Sequence, residues 1–175
     1  MKHLFLAAFT ALALSCTAGA ADKKDEKKDK DSASASESAE HTLADFKIGA
    51  SITGPEVKLE DLKGKAVIIE NWGVNCGPCL ASLPDMQKLS KRHKENLVLI
   101  GAHSQDATDD KVKEVVKKHK LTYSIVKGSN SPSDVSSNTI PHAYVFDAEG
   151  KLLFHGVPSD PKFDKAVRKA VAKKA

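Results

Sequence analysis

An α/β fold, a central mixed β-sheet flanked by helices, is what the sequence predicts, and three observations carry the prediction. From residue 66 onward, short runs rich in β-branched residues alternate with amphipathic stretches of helical period. Two apolar runs separated by Asp147-Ala148-Glu149-Gly150 read as a closing hairpin, which adds antiparallel pairing to an otherwise parallel sheet. The pair Cys76-Gly77-Pro78-Cys79 lies where a strand run gives way to a helical run.

The first twenty residues (1–20) read as an export signal. Lys2 supplies a positive start, Leu4 to Ser15 an apolar centre, and Ala18-Gly19-Ala20 a small-residue cleavage site. The apolar run is shorter than the roughly 20 residues a membrane-spanning helix needs. Leu12-Ala13-Leu14-Ser15-Cys16 is similar to a bacterial lipobox, with Ala13 where that motif usually has Leu. Two outcomes stay open: an acylated Cys16 serving as lipid anchor, or a free exported protein from which Cys16 has been removed. Either leaves Cys76 and Cys79 as the only free thiols.

Residues 21–41 are expected to be a disordered, low-complexity linker. Its charged half, Asp22 to Asp31, carries five lysines and five acids, so it has no net charge with which to hold a partner. A folded domain is expected over 42–175. Ala44 to Ile48 and Glu56 to Leu59 read as short strands around a Gly54-Pro55 turn, forming an N-terminal strand extension. Ala66 to Glu70 reads as a buried central strand. Cys79 to about His93 reads as a helix with Leu80, Leu83 and Met86 inward, kinked by Pro84.

Leu97 to Ile100 gives the next strand, and Asp109 to Lys120 a helix with Val112, Val115 and Val116 inward. Thr122 to Val126 is a further strand, followed by a polar loop to Asn138. His142 to Phe146 and Leu152 to His155 form the hairpin. A basic amphipathic helix carrying Phe163, Val167 and Val171 closes the chain.

Composition narrows the function. Hydrophobic residues make up 41% of the 175, enough for a core, and the formal net charge of +4 is modest with sparse aromatics at 5%, so nothing points to nucleic acid. Three cysteines are too few for a disulfide scaffold. A lone C-x-x-C fits a redox dithiol or half a zinc site, and no second cysteine pair is present to complete a Cys-rich zinc site. At a helix N-terminus, free N–H groups and the macrodipole lower a thiol pKa, which suits Cys76 to nucleophilic attack. Cys79, three residues on, falls on the same helical face.

The run Glu70-Asn71-Trp72-Gly73-Val74-Asn75-Cys76-Gly77-Pro78-Cys79, with Pro84 and Ile140-Pro141, resembles the thioredoxin superfamily. Within it the sequence is similar to the TlpA-like exported thiol–disulfide oxidoreductases, over about Phe46 to Val157. That resemblance implies a thioredoxin-like fold, a redox-active Cys76–Cys79 disulfide, and a cis proline at Pro141 beside it. It implies Cys76 as nucleophile, Cys79 as resolving thiol, and Glu70 as a buried acid that takes the Cys79 proton; a solvent-facing strand-end residue is the other reading of Glu70.

Trp72, Asn75, Ile140, Pro141 and His142 would border the substrate groove, Trp72 packing beside the active site rather than contacting substrate. The family usually has an aromatic residue in place of Asn75 and often Thr in place of His142. His142 is open between a groove-surface histidine and a group that lowers the Cys76 pKa or binds copper with both sulfurs. His93, His103, His119 and His155 show no ligand spacing. Neither a cofactor nor a metal is expected. Partners would be disulfide-bonded or thiol client proteins and a membrane thiol donor of electrons. A redoxin-type thiol peroxidase and a copper-binding chaperone on the same fold are the alternatives; Gly73-Val74-Asn75 lacks the Thr and Pro that peroxiredoxins place before their cysteine.

Overall fold

The computed structural model describes residues 40–172. The export signal, the Cys16 lipobox and nearly all of the linker lie outside the described residues. The element order is a 3₁₀ turn (Leu43–Asp45), β1 (Lys47–Ile48), β2 (Ser51–Thr53), a second 3₁₀ turn (Leu59–Leu62), β3 (Ala66–Trp72), α1 (Gly77–Arg92) and β4 (Leu97–His103). There follow α2 (Asp109–His119), β5 (Ser124–Lys127), β6 (Ser129–Asn130), β7 (His142–Phe146), β8 (Leu152–Gly156) and α3 (Pro161–Val171). Among these residues no helix is long and apolar enough to cross a membrane.

Six strands form one mixed sheet in the order β2-β5-β4-β3-β7-β8. β3, β4 and β5 run parallel, while β7 is antiparallel to β3, β8 to β7 and β2 to β5. β3 is the centre and every one of its residues is buried, as a near-continuous β-branched run in a doubly covered sheet should be. The hairpin forms as expected around Asp147–Gly150, with Phe146 opposite Leu152.

The pleat divides β3 between two apolar clusters. Ile68 and Trp72 face the three helices, packed with Leu83 and Met86 of α1, Val112 of α2 and Phe163 and Val167 of α3. Val67 and Ile69 face the other way, onto Leu43, Phe46, Leu62, Val135, Tyr144 and Phe146. Among the described residues no α-helix covers that second face; the N-terminal segment with its two 3₁₀ turns and the loop after β6 do so.

One expected strand is corrected. Glu56 to Leu59 does not join a sheet; the chain turns into the 3₁₀ segment Leu59–Leu62 and buries Leu62. The alternation that suggested a strand is real, since Val57 and Leu59 are half-buried and Glu56 and Lys58 exposed. It reflects packing onto the second apolar cluster without ladder hydrogen bonds. The polar loop after β5 contains a short strand, β6, paired with β1. Pro84 stands inside α1, which continues for eight more residues to Arg92.

Candidate functional site

Cys76 is the N-cap of α1, in extended conformation, with Pro78 in the first turn where its missing N–H costs nothing. Cys76 and Cys79 are joined by a disulfide, S–S 2.05 Å and Cα–Cα 5.2 Å. The Cys79 backbone N–H donates to Cys76 Sγ at 3.2 Å. That donor and the helix dipole both favour negative charge on Cys76 sulfur once the bond is reduced, and the first turn holds no acid to oppose them. The two sulfurs differ in access: Cys76 is 8% exposed and Cys79 0%. Attack from solvent is therefore directed at Cys76.

Glu70 lies on the helix face of β3, fully buried. Burial pushes its carboxyl up to about 7, only partly offset by a hydrogen bond from Ser82. The Ser82 hydroxyl reaches Glu70 Oε1 at 3.2 Å and the Cys79 carbonyl at 2.8 Å, which ties the acid to the turn carrying the inner cysteine. The solvent-facing reading of Glu70 is excluded by its burial. Near neutral pH the group divides its time between acid and carboxylate, the condition for receiving and releasing a proton.

The turn leading into Cys76 is fastened by two residues the sequence did not single out. Val74 N–H donates to His103 Nε2 at 3.3 Å, and Asn75 N–H donates to Gln105 Oε1 at 2.8 Å. A Cβ on Gly73 would stand 2.2 Å from the Gln105 side chain, so only glycine admits this clamp. His103 is thus no mere filler: its Nε2 must be unprotonated to accept, and burial holds its pKa below the usual imidazole value. Trp72 packs edge-on to the same ring at 5.4 Å. The register that sets Trp72 beside His103 could not be read from spacing alone.

Ile140–Pro141 is a cis peptide. The Ile140 carbonyl oxygen lies 3.7 Å from Cys76 Sγ, and both Ile140 and Pro141 are half-buried at the edge of the dithiol. Asn75 is exposed beside them. The structure therefore gathers Cys76, Cys79, Glu70, Asn75, Ile140 and Pro141 at the carboxyl end of β3.

Of the residues expected at the groove, Trp72 is packing only and His142 is corrected. Trp72 is 0% exposed and cannot touch a substrate; it is a wall behind the disulfide. His142 pairs with Asn71 in the ladder, and the pleat turns its ring to the sheet face opposite the helices. There it packs against Tyr144 at 4.8 Å and His155 at 5.8 Å. Burial, with a smaller effect of His155, pushes its pKa down to about 4. It is neutral at neutral pH, so it offers no imidazolium to Cys76, and it faces away from both sulfurs, which leaves the copper set without its third ligand.

Comparison with known proteins agrees with this geometry. Residues 39–155 match the family model described as the AhpC/TSA family. A thiol-disulfide oxidoreductase ResA of Bacillus cereus is 34% identical over 104 residues, 58% of this chain and 60% of that protein. The chain thus spans about 60% of the length of the curated relatives it matches. The crystal structure of a thiol:disulfide interchange protein of the thioredoxin family from Chlorobium tepidum superposes with a TM-score of 0.63 at 25% identity, covering 77% of this chain and 99% of that one. The thioredoxin domain of a thiol-disulfide oxidoreductase from Bacteroides vulgatus does so at 0.60 and 21%, covering 75% and 98%. The thioredoxin-like fold and the resemblance read from the active-site run are both borne out.

Proposed function

The chain belongs to the AhpC/TSA family, and from that premise we propose that it is an exported thiol–disulfide oxidoreductase working as a reductase of protein disulfides. The observation that carries the reading is the asymmetry of the disulfide: Cys76, the more accessible sulfur, as N-cap, and Cys79 sealed beneath it near a buried acid.

In the reduced protein the Cys76 thiolate attacks one sulfur of a client disulfide. The client S–S bond breaks, one client thiolate leaves, and a mixed disulfide forms on Cys76. Glu70, as carboxylate, takes the Cys79 proton, and the Cys79 thiolate attacks Cys76 Sγ. The client's second thiolate leaves, two electrons have passed to the client, and the Cys76–Cys79 disulfide is restored. A membrane thiol donor outside this chain returns the two electrons. The cis-peptide edge at Ile140–Pro141 and exposed Asn75 border the extended client segment, with a backbone carbonyl and no competing N–H at the proline. Residues 42–175 are the working domain, carried on the 21–41 linker behind an export signal that ends in cleavage or in a Cys16 lipid anchor.

The Gly-Pro pair between the cysteines is the one thioredoxins use, and it goes with a couple near about −270 mV. A measured potential above about −180 mV would reverse the direction assigned here. Trapping with Cys79→Ser in vivo tests the client step: a mixed disulfide should accumulate on Cys76, and none should form with Cys76→Ser. A peroxidase would instead turn over peroxide in the Cys79→Ser protein.

A further inference from the structure

The three α-helices all run the same way. α1 and α2 each join parallel neighbours in the sheet, so each returns from the carboxyl end of one strand to the amino end of the next. β8 is antiparallel to β7 and β7 to β3, so α3 also starts at the carboxyl end of β3 and runs back. Asn96, just before β4, donates its side-chain N–H to the Val171 carbonyl at 2.9 Å, which sets the end of α3 beside the start of the strands. Every helix thus begins at the disulfide end of the sheet and finishes at the far end.

Charge follows that direction. The last turns carry Lys91 and Arg92 on α1, Lys117 and Lys118 on α2, and Arg168 and Lys169 on α3. All six are exposed, and none ion-pairs with an acid among the described residues. No acid follows Asp85 in α1, Glu114 in α2 or Asp164 in α3. A helix carboxyl end carries about half a negative charge, so three ends call for about 1.5 positive charges, and the six exceed that need.

The neighbours do not cancel the excess. Lys63 and Lys65, just before β3, add to it. Glu95 lies 3.6 Å from Lys94, and Asp147 accepts the Glu149 and Lys151 N–H groups of the hairpin turn. Glu60 and Asp61 sit on the second 3₁₀ turn, across the sheet from the helices. The helix starts are mixed instead: Asp109 and Asp110 oppose Lys111 on α2, and Asp160 and Asp164 oppose Lys162 on α3. The chain also joins the domain at the basic end, where Thr42 bridges to Lys151 of the hairpin and Glu40 ion-pairs with the same lysine.

We propose that this basic end docks on an anionic phospholipid surface, with the disulfide end turned to water. Lys and Arg side chains held near such a surface are drawn by its negative potential. A basic patch is one of the two signals that stable attachment takes, and an acylated Cys16 would be the other. Where in the cell the surface is met rests on the export reading given above.

The test compares binding of the full chain to phosphatidylcholine vesicles and to vesicles that also hold phosphatidylglycerol. The apolar run of residues 4–15 can enter both, so the ratio of the two partition constants isolates charge. That ratio should be at least about tenfold and fall toward one at about 1 M salt, where the screening length is about 3 Å. The variant Lys117→Gln, Lys118→Gln, Arg168→Gln, Lys169→Gln should lose most of it. The variant Lys111→Gln, Lys113→Gln, Lys162→Gln, Lys165→Gln makes the same charge change on the same two helices, nearer the disulfide, and should keep it. A wild-type ratio near one, or equal losses in the two variants, overturns the proposal.

A further readout needs no variant to fold. On the anionic vesicles, Cys76 of the reduced protein should take up a water-soluble disulfide reagent, followed by peptide mass, as fast as in free protein. Amide exchange should slow at the last turns of the three helices. Shielding of Cys76, or slowing confined to the disulfide end, overturns the proposal. Retention on heparin that outlasts the salt freeing the vesicles would assign the patch to an acidic polymer and overturn the lipid assignment. Cell fractionation that leaves the chain in the cytosol with residues 1–20 attached would fail the export reading alone.

Discussion

The two faces of the sheet each bury a tyrosine, and they treat its hydroxyl differently. On the face without helices, Tyr144 OH lies 3.0 Å from Ser131 Oγ and donates to the Val135 carbonyl at 3.2 Å. Its ring also meets Phe46 edge-on at 4.9 Å. On the helix face, Tyr123 OH has no such partner, and it shares that condition with Glu70 Oε2 and Trp72 Nε1. The first face satisfies its tyrosine within the protein, although His142 Nε2 on the same face is buried without a partner. The other keeps a raised acid and unmatched donors directly behind the disulfide. Three of the four buried, unpartnered side-chain atoms among the described residues thus lie on the face behind the disulfide.

If that division is right, damage to the two faces should separate stability from exchange chemistry. The largest effect expected is Phe46→Ala, which opens a cavity against Tyr144 and Phe146 and should cost about 3–5 kcal/mol in denaturant unfolding. The exchange rate per folded molecule should stay within twofold; a larger loss would break the comparison.

Glu70→Gln should act oppositely on the two quantities. The folded carboxyl titrates near 7 against an ordinary 4.5, so the folded state binds its proton more tightly. Stability from this group is complete at low pH and is lost as pH rises from the unfolded to the folded value. The substitution should therefore stabilise by about 3 kcal/mol at pH 8 and under about 1 kcal/mol at pH 5, read from unfolding midpoints. Resolution of a mixed disulfide should slow by about 10²-fold.

Gln105→Ala removes the acceptor of the Asn75 N–H and should cost about 1 kcal/mol. It should also raise hydrogen exchange at Asn75 and slow attack by Cys76 only a few-fold. Tyr144→Phe should be the mildest, about 1 kcal/mol of stability, with the redox potential unchanged.

What was legible in the sequence follows from locality. The strand before Cys76, the helix after it and the hairpin around Asp147–Gly150 are each set by neighbouring residues; the buried acid was legible only through the family resemblance, because local pattern left Glu70 open between a buried acid and a solvent-facing strand end. Gln105 and His103 were not legible, because their partners lie about thirty residues away and depend on the register of two parallel strands. His142 misled for the same reason in reverse. Adjacency to Pro141 suggested the groove, and the pleat put the ring behind the sheet. Ser82 did leave a signal, three residues after Cys79 on the same side of α1.

The N-terminal segment of the described fold has a geometric consequence. Leu152 N–H donates to the His41 carbonyl and Leu43 N–H to the Gly150 carbonyl, at 2.9 and 2.7 Å, so the chain enters at the turn of the hairpin. That turn lies at the end of the sheet where β3 begins, and the disulfide lies where β3 ends, seven residues or roughly 20 Å away. The domain thus has a handle at one pole and its reactive sulfur at the other. A domain held at His41 and Leu43 carries Cys76 at the end of the sheet away from that attachment.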